Sequence, residues 1–594
     1  MTKIIIVLTI LSSSLFYGQQ VQETKTLSLN KEIKDIQISR NEEENFTIIL
    51  EKDIYYIVEV MQQGIDLVVT LKDRNAKLIE EKDTPNGMFG LEKIIYSPDN
   101  SESFSILIKP LNEKTNSKQG TYSIVVKEIS KNLNNISSNE MIQDLEILQN
   151  AYYETKVGLW YNSKKQFDSI CNVQKSKIKD AVNSLDFYKI LAQIVAFTKE
   201  GHCNSKTSDE IKVYLNQNGS YLPFFVKIID KKVYIINDLD NFKSKGFQIL
   251  KINEATIDEI LTTFLTIEPA DGYNETSKYK WIEEAFSKYY ARFFKQTKLF
   301  RLQLIDCKNN EKIVYEIPSY SFKEYTKFYT RTLETLPNYN FKEVATLNID
   351  TINSTATITV NSFELNSYKD GRNGFKNFLD NSFNKIKKQN SKNLIIDIRK
   401  NEGGEQGMED LLLSYLTDKK YLKYKYVEIP AFKCSFLEYT DYKNEDEILM
   451  KELKKDFYQT TDGRIINKKG HYEGENPNKN NFKGKIYILI SGLTFSGGSE
   501  FASLAKNYTN ATFIGEETGG GYYGNTSGSF IKLTLPNSKI TARIPICKFV
   551  VATNKNENPI GRGLFPDYYI QPTISEYLNN YDAEMEFTKK LINK

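Results

Sequence analysis

Two short apolar runs in the C-terminal half, Leu394-Ile395-Ile396-Asp397-Ile398 and Ile486-Tyr487-Ile488-Leu489-Ile490, are each followed by paired glycines and then by a helix-forming segment. Runs of this length, rich in β-branched residues, read as strands buried on both faces, and strands that alternate with helices indicate a largely parallel sheet. A strand at 355–360 with a helix at 375–386 precedes them, and a strand at 511–515 follows. The helix after the first glycine pair begins near Met408, and the one after the second spans 499–508. Residues 341–594 are therefore expected to form one α/β core.

The chain has 594 residues, too many for a single core. Residues 22–130 read as all-β: Tyr55-Tyr56-Ile57-Val58-Glu59-Val60, Asp66-Leu67-Val68-Val69-Thr70 and Thr121-Tyr122-Ser123-Ile124-Val125-Val126 are β-rich runs, and 83–87 is a turn. Short strands at regular spacing predict a β-sandwich. A Lys-, Asn- and Ser-rich linker follows at 131–138. Residues 139–206 are helical, with a helix at 187–198 that ends at Gly201-His202. Residues 207–340 mix strands and helices, including a strand at 247–253 and a helix through 257–261. The fold class expected is multidomain α+β.

Residues 1–19 have the layout of a secretory signal: Lys3, an apolar run from Ile4 to Phe16, then a polar turn beginning at Gly18. The run is short for a bilayer span, so export to the periplasm or the outside of a bacterium is expected, without stable membrane insertion after cleavage. With 79 basic and 76 acidic side chains, the net charge of +3 gives no reason to expect nucleic acid as a partner. The five cysteines are scattered without CxxC spacing, which suggests neither a disulfide framework nor a zinc site. There are two histidines, His202 and His471, so a multi-histidine metal centre is excluded and a histidine base must be one of the two. No metal and no cofactor is expected, and the sequence leaves the oligomeric state open.

Ser496 lies between a buried-type strand and a helix, in Thr494-Phe495-Ser496-Gly497-Gly498-Ser499-Glu500. Glycines let the backbone approach a substrate closely, and a helix start offers free N–H groups to a developing negative charge. Ser496 is thus a candidate nucleophile, and equally a candidate N-cap. Acyl transfer needs two oxyanion donors, each worth about 3 kcal/mol. Gly403 or Gly404 could supply one and Gly497 the other. His202 sits at a helix end, where a lone histidine is more often structural or solvent-exposed than catalytic, and His471 lies in a polar stretch typical of surface loops. The loop Gly515-Glu516-Glu517-Thr518-Gly519-Gly520-Gly521 could line a cleft or form an ordinary turn.

Taken in order, several motifs resemble the superfamily of C-terminal processing peptidases and tricorn peptidases. They are Gly201-His202, Gly246 through Asn253, Asp397-x-Arg399-x-Asn401-x-Gly403-Gly404, Thr494-x-Ser496-x-x-x-x-Phe501, Gly515-Glu516-x-Thr518-Gly519-Gly520 and Gly563-Leu564-Phe565-Pro566-Asp567. The resemblance covers about 140–590 and implies a crotonase-like (ClpP-like) catalytic core and hydrolysis of peptide bonds in peptide or protein substrates without metal. Gly-x-x-Ile-Leu-x-Ile-Asn at 246–253 resembles half of a PDZ-like module. The order of Gly64-Ile65-Asp66, Asp83-Thr84-Pro85-Asn86-Gly87, Gly90-Leu91-Glu92 and Gly120-Thr121-Tyr122 resembles the pre-peptidase sandwiches beside secreted bacterial peptidases. Processing peptidases use a Ser–Lys dyad, but the loop from Gly515 to Asn525 has no lysine. Tricorn-like members take a histidine base from the upstream helical cap, a place that His202 matches. The resemblance thus implies Ser496 as nucleophile, His202 as base, and an orienting carboxylate for which Glu516, Glu517 and Glu557 are candidates. It departs from the pattern in having Gly201 where tricorn-like sites carry a serine. A non-catalytic peptide- or lipid-binding protein on the same fold is the alternative.

Overall fold

A computed structural model describes residues 25–594 apart from 85–87, 113–115, 131, 182, 240, 337–342, 441, 444–445, 469–473 and 554–557. The expected signal segment, the 85–87 part of the expected turn, His471 and Glu557 lie outside the described residues. The chain forms two compact units, Met1–Lys131 and Asn132–Lys594.

The first unit is built of two sheets over one core. Glu44–Leu50, Glu102–Pro110, Leu67–Lys72 and Leu78–Lys82 pair antiparallel, with Lys25–Thr26 parallel at one edge. The second sheet contains Ile33–Ser39, Gln119–Glu128, Tyr56–Gln63 and Phe89–Tyr96, all antiparallel. The period of two is plain in Glu102–Pro110, where Phe104, Ile106 and Ile108 are buried and their neighbours are not. Phe46, Val60, Leu71 and Tyr122 from both sheets complete that core.

The second unit holds the α/β sheet. Its order is Ala345–Asp350, Thr355–Val360, Asn393–Asp397, Lys485–Ile490, Thr512–Gly515 and Tyr568–Tyr569. All neighbours are parallel except the first pair. Ile395, Ile396, Ile488, Leu489, Phe513 and Ile514 are all buried, as strands covered on both faces require. Helices Gly371–Lys388, Met408–Ser414 and Gly497–Tyr508 connect these strands. The loops that leave the carboxyl ends of Asn393–Asp397, Lys485–Ile490 and Thr512–Gly515 are therefore adjacent, which is where parallel α/β sheets place their ligands.

Upstream, Ser138–Glu154, Lys164–Ser176 and Ser184–Phe197 form the expected helical region. Residues 226–318 contain an antiparallel sheet in the order Val226–Ile229, Lys232–Ile235, Gln248–Ile252, Leu299–Ile305 and Lys312–Pro318. Helices Ile257–Ile267 and Thr276–Phe293 bury Phe264, Ile282 and Phe286 against it. No helix among the described residues is long and apolar enough to cross a membrane.

Arg399 ties the end of the α/β strand Asn393–Asp397 to the C-terminal helix Ala583–Ile592. Its guanidinium forks onto Asp397 at 3.0 and 2.7 Å and onto Asp582 at 2.7 and 2.8 Å, and it reaches Glu584 at 3.2 Å. Removing one partner of a largely buried ion cluster leaves uncompensated charge. Arg399→Ala should lower the unfolding free energy by about 3 kcal/mol, read as a shifted urea midpoint.

Candidate active site

The helix Ser184–Phe197 begins with Asn183, whose Oδ1 accepts from the Leu185 and Asp186 amides at 3.0 Å. It ends at Thr198, and Lys199 then turns the chain with φ +58°. His202 follows three residues later. The chain continues as Asn204–Lys206, which pairs antiparallel with Thr541–Ile544 in the register Asn204 to Arg543. That pairing joins the helical region to the far end of the chain. It carries His202 to Ser496, where His202 Nε2 and Ser496 Oγ stand 3.1 Å apart.

Ser496 occupies the N-cap position of Gly497–Tyr508, yet its side chain caps nothing in that helix. The structural alternative for this serine, an N-cap hydroxyl, is thereby removed. Its backbone has φ +49° and ψ −124°, a region that costs a non-glycine residue about 1–3 kcal/mol. The strained turn is held on each side. Phe495 N donates to Asn401 O at 3.0 Å, Gly498 N to Phe495 O at 2.8 Å and Gly519 N to Thr494 O at 2.8 Å. Ser499 Oγ donates to Thr494 O at 2.6 Å and accepts from Gly520 N at 3.0 Å.

The loop after Asp397 lies against this turn through Asn401, which is fully buried. Its Nδ2 donates to Val360 O at 3.1 Å and its Oδ1 accepts from Gly403 N at 2.9 Å. The Gly403 N–H is therefore engaged, which corrects the expectation that Gly403 could be an oxyanion donor. The role of Gly403 is close approach. At φ +100°, a Cβ there would meet Gly497 N at 2.7 Å and Ser496 Cβ at 2.8 Å. Gly404 N and Gly497 N donate to no protein group among the described residues. A methyl on Gly497 would lie 3.7 Å from Gly404 N, so both amides border the same space beside Ser496.

The His202 ring lies between Phe495, at 4.8 Å between centroids, and Phe530, at 6.1 Å. Burial, reinforced by the Arg543 guanidinium, pushes its pKa down to about 3. The imidazole is neutral at any ordinary pH. For Nε2 to accept from Ser496, the proton must sit on Nδ1, and Nδ1 is buried with no hydrogen-bond partner among the described residues. Glu516 and Glu517 do not orient it. Glu516 pairs with Lys280 at 2.6 Å and Gln571 at 3.2 Å. Glu517 accepts from Arg562 at 2.9 and 2.5 Å and from Gly563 N at 2.8 Å. Both expectations are corrected for the same reason: each carboxylate neutralises a cation of its own. Among the described residues, aromatic walls hold the ring rather than a carboxylate.

A residue not singled out in the sequence organises the site. Asp271, 1% exposed, accepts from Gly201 N at 2.7 Å through Oδ1 and from Gly521 N at 3.0 Å through Oδ2. One carboxylate thus joins the turn that bears His202 to the glycine loop behind Ser496. Burial raises its pKa to about 6, against the pull of those two amides. Asp271 also explains Gly201, because a Cβ there would sit 2.9 Å from Asp271 Oδ1 and 2.8 Å from Phe495 Cζ. In sequence, Ala270-Asp271-Gly272 reads as a turn between helices and carries no signal of this role. Glu200, 1% exposed, lies beside the same turn. Burial and then the negative Asp271 raise its pKa to about 8, and Thr526 and the Gly158 amide lower it without forming well-aligned hydrogen bonds.

Residues 354–570 match the model of peptidase family S41, described as peptidase family S41. This segment is similar to the S41 peptidases, and the match indicates a serine peptidase, a hydrolase. Among solved structures, a CPAF mutant superposes with a TM-score of 0.52 and 14% identity, over 77% of this chain and 98% of that one. Mature CPAF superposes with a TM-score of 0.50 and 14% identity, over 77% and 96%. These two share the fold. The photosystem II D1 C-terminal processing protease gives a TM-score of 0.34 and 11% identity over 75% and 97%. No curated protein matches the sequence.

Two outcomes are expected. Asp271→Asn puts an amide donor against one of two N–H groups, so it should lower the thermal midpoint and slow fluorophosphonate labelling of the chain by about 10²-fold as the His202 turn shifts. Glu200 binds its proton more tightly folded than unfolded. Its contribution is present below pH 4.5 and is lost as pH rises through about 8. Glu200→Gln should therefore flatten the fall in stability between those values, followed by urea unfolding at stepped pH.

Proposed function

We propose that this chain hydrolyses peptide bonds through an acyl-enzyme on Ser496, with His202 as general base and Gly404 and Gly497 as oxyanion donors. The observation that carries the reading is the 3.1 Å contact between His202 Nε2 and Ser496 Oγ, made by residues 294 positions apart. In this mechanism Ser496 Oγ attacks the scissile carbonyl as Nε2 takes its proton. The carbonyl oxygen, now negative, enters the space bordered by the Gly404 and Gly497 amides, where the positive end of Gly497–Tyr508 favours it. Nε2 then returns the proton to the leaving amine, and the acyl group stays on Ser496. A water deprotonated by the same nitrogen releases it. Burial between two phenyl rings keeps the imidazole in its basic, neutral form before substrate arrives.

The reading extends to the architecture. The parallel sheet with its glycine loops supports a crotonase-like core over 341–594, and the antiparallel sheet within 207–340 supports a degenerate PDZ-like module. The helical cap is then 139–206 and the sandwich 22–130 an accessory domain. The apolar run Ile4 to Phe16 supports export. Peptides or proteins met outside the cytoplasm are the substrates.

Ser496→Ala should abolish both fluorophosphonate labelling and cleavage of a peptide library, and His202→Ala should lower kcat by more than 10³-fold. Activity retained by Ser496→Ala would overturn the assignment. Because the His202 pKa is depressed, the acid limb of kcat/KM, which reports the free enzyme, should fall well below pH 6.

A further inference from the structure

The strand that follows His202 belongs to a small three-stranded sheet of Asn204–Lys206, Thr541–Ile544 and Ile531–Thr534. One face is apolar and buried: Ile531, Leu533, Ala542 and Ile544. The other carries Arg543 opposite Asn204 on one side and opposite Lys532 on the other. Lys206, two residues along from Asn204, shares that face, since side chains alternate along a strand. Lys206, Lys532 and Arg543 are exposed, and no acidic residue belongs to any of the three strands. Surface cations normally meet carboxylates, but Arg543 and Lys206 form no ion pair with any described residue. Arg543 is instead laid on the Phe530 ring, its guanidinium carbon 3.4 Å from the centroid. The same Phe530 ring flanks His202. Stacking holds a guanidinium in place while leaving its N–H fork free to bind a carboxylate with two hydrogen bonds.

We propose that this face, with Arg543 at its centre, is a subsite for a substrate carboxylate on the leaving-group side of the scissile bond. The proposal rests on the Ser496–His202 reading. The nitrogen that takes the serine proton returns it to the leaving amine, so the departing peptide lies on the His202 side of Ser496, away from Gly404 and Gly497. Phe530 flanks His202 at 6.1 Å between centroids, and Arg543 is stacked on Phe530. The carboxylate is an Asp or Glu side chain a few residues after the cut.

The test uses the full chain and quenched peptides that share one acyl half. Their leaving halves carry Glu, Gln or Lys, each with a free C-terminal acid or an amide, and mass spectrometry locates the cut. In wild type, kcat/KM should be about tenfold higher for Glu than for Gln, the range a charge-assisted hydrogen bond supplies, and lower again for Lys. A factor that separates C-terminal acid from amide while Glu and Gln stay equal would overturn the side-chain subsite. The ratio should fall to about one in Arg543→Gln, invert in favour of Lys in Arg543→Glu and be partly kept in Arg543→Lys. Reading a ratio removes any general loss from movement of Phe530 and His202. Ser496-dependent cleavage with the same ratio in wild type and Arg543→Gln would overturn the subsite, as would a preference that follows an acid in the acyl half. Absence of any Ser496-dependent cleavage would overturn the peptidase mechanism itself, and the subsite with it.

Discussion

Asp271 carries its charge where charge is expensive. A carboxylate with 1% exposure is stable only when its oxygens are met by donors, and here the donors are two backbone amides from segments 320 positions apart in number, Gly201 and Gly521. Everything that the site needs on its histidine side hangs from that arrangement. Gly272 N is held by Lys199 O at 2.8 Å and Tyr273 N by Gly561 O at 2.7 Å, so the Asp271 turn is itself clamped by the helix end and by the C-terminal loop. The helix that ends at Phe197, the loop that ends at Gly521 and the turn at Ser496 are thereby referred to one buried group.

The opposite side of the site is organised by strain rather than charge. Ser496 holds an unfavourable backbone conformation that its neighbours over-determine, and glycine is required wherever those neighbours come closest. Gly403 is pressed against Ser496 and Gly497, and Gly520 would place a Cβ 2.6 Å from Ser499 Oγ and 3.1 Å from Ser496 N. The Ser496 hydroxyl makes no bond to its own helix and lies instead against His202 Nε2.

The α/β sheet was legible in sequence because its strands are buried on both faces and its loops are punctuated by glycine. The runs at 394–398 and 486–490 became Asn393–Asp397 and Lys485–Ile490, and the helix at 499–508 began two residues earlier, at Gly497. The paired glycines were visible, but their division of labour was not. Whether Gly403 or Gly404 keeps a free N–H depends on Asn401 Oδ1, a side-chain contact that periodicity does not encode. Asp271 and Phe530 were silent for the same reason: each meets a tertiary neighbour far along the chain. Glu516 and Glu517 misled because an acid next to a glycine loop resembles a site residue until its cation, Lys280 or Arg562, is seen beside it.

The strand pairing that delivers His202 also sets a time at which the site can exist. Asn204–Lys206 has no partner until Thr541–Ile544 has been made, and Asp271 lacks one of its two amides until Gly521 has. Chains emerge from the ribosome N-terminus first, and contacts this distant in sequence form late. A nascent chain that ends before residue 541 can hold Ser496 and His202 without being able to place one against the other. The contact between His202 and Ser496 therefore comes with completion of the domain.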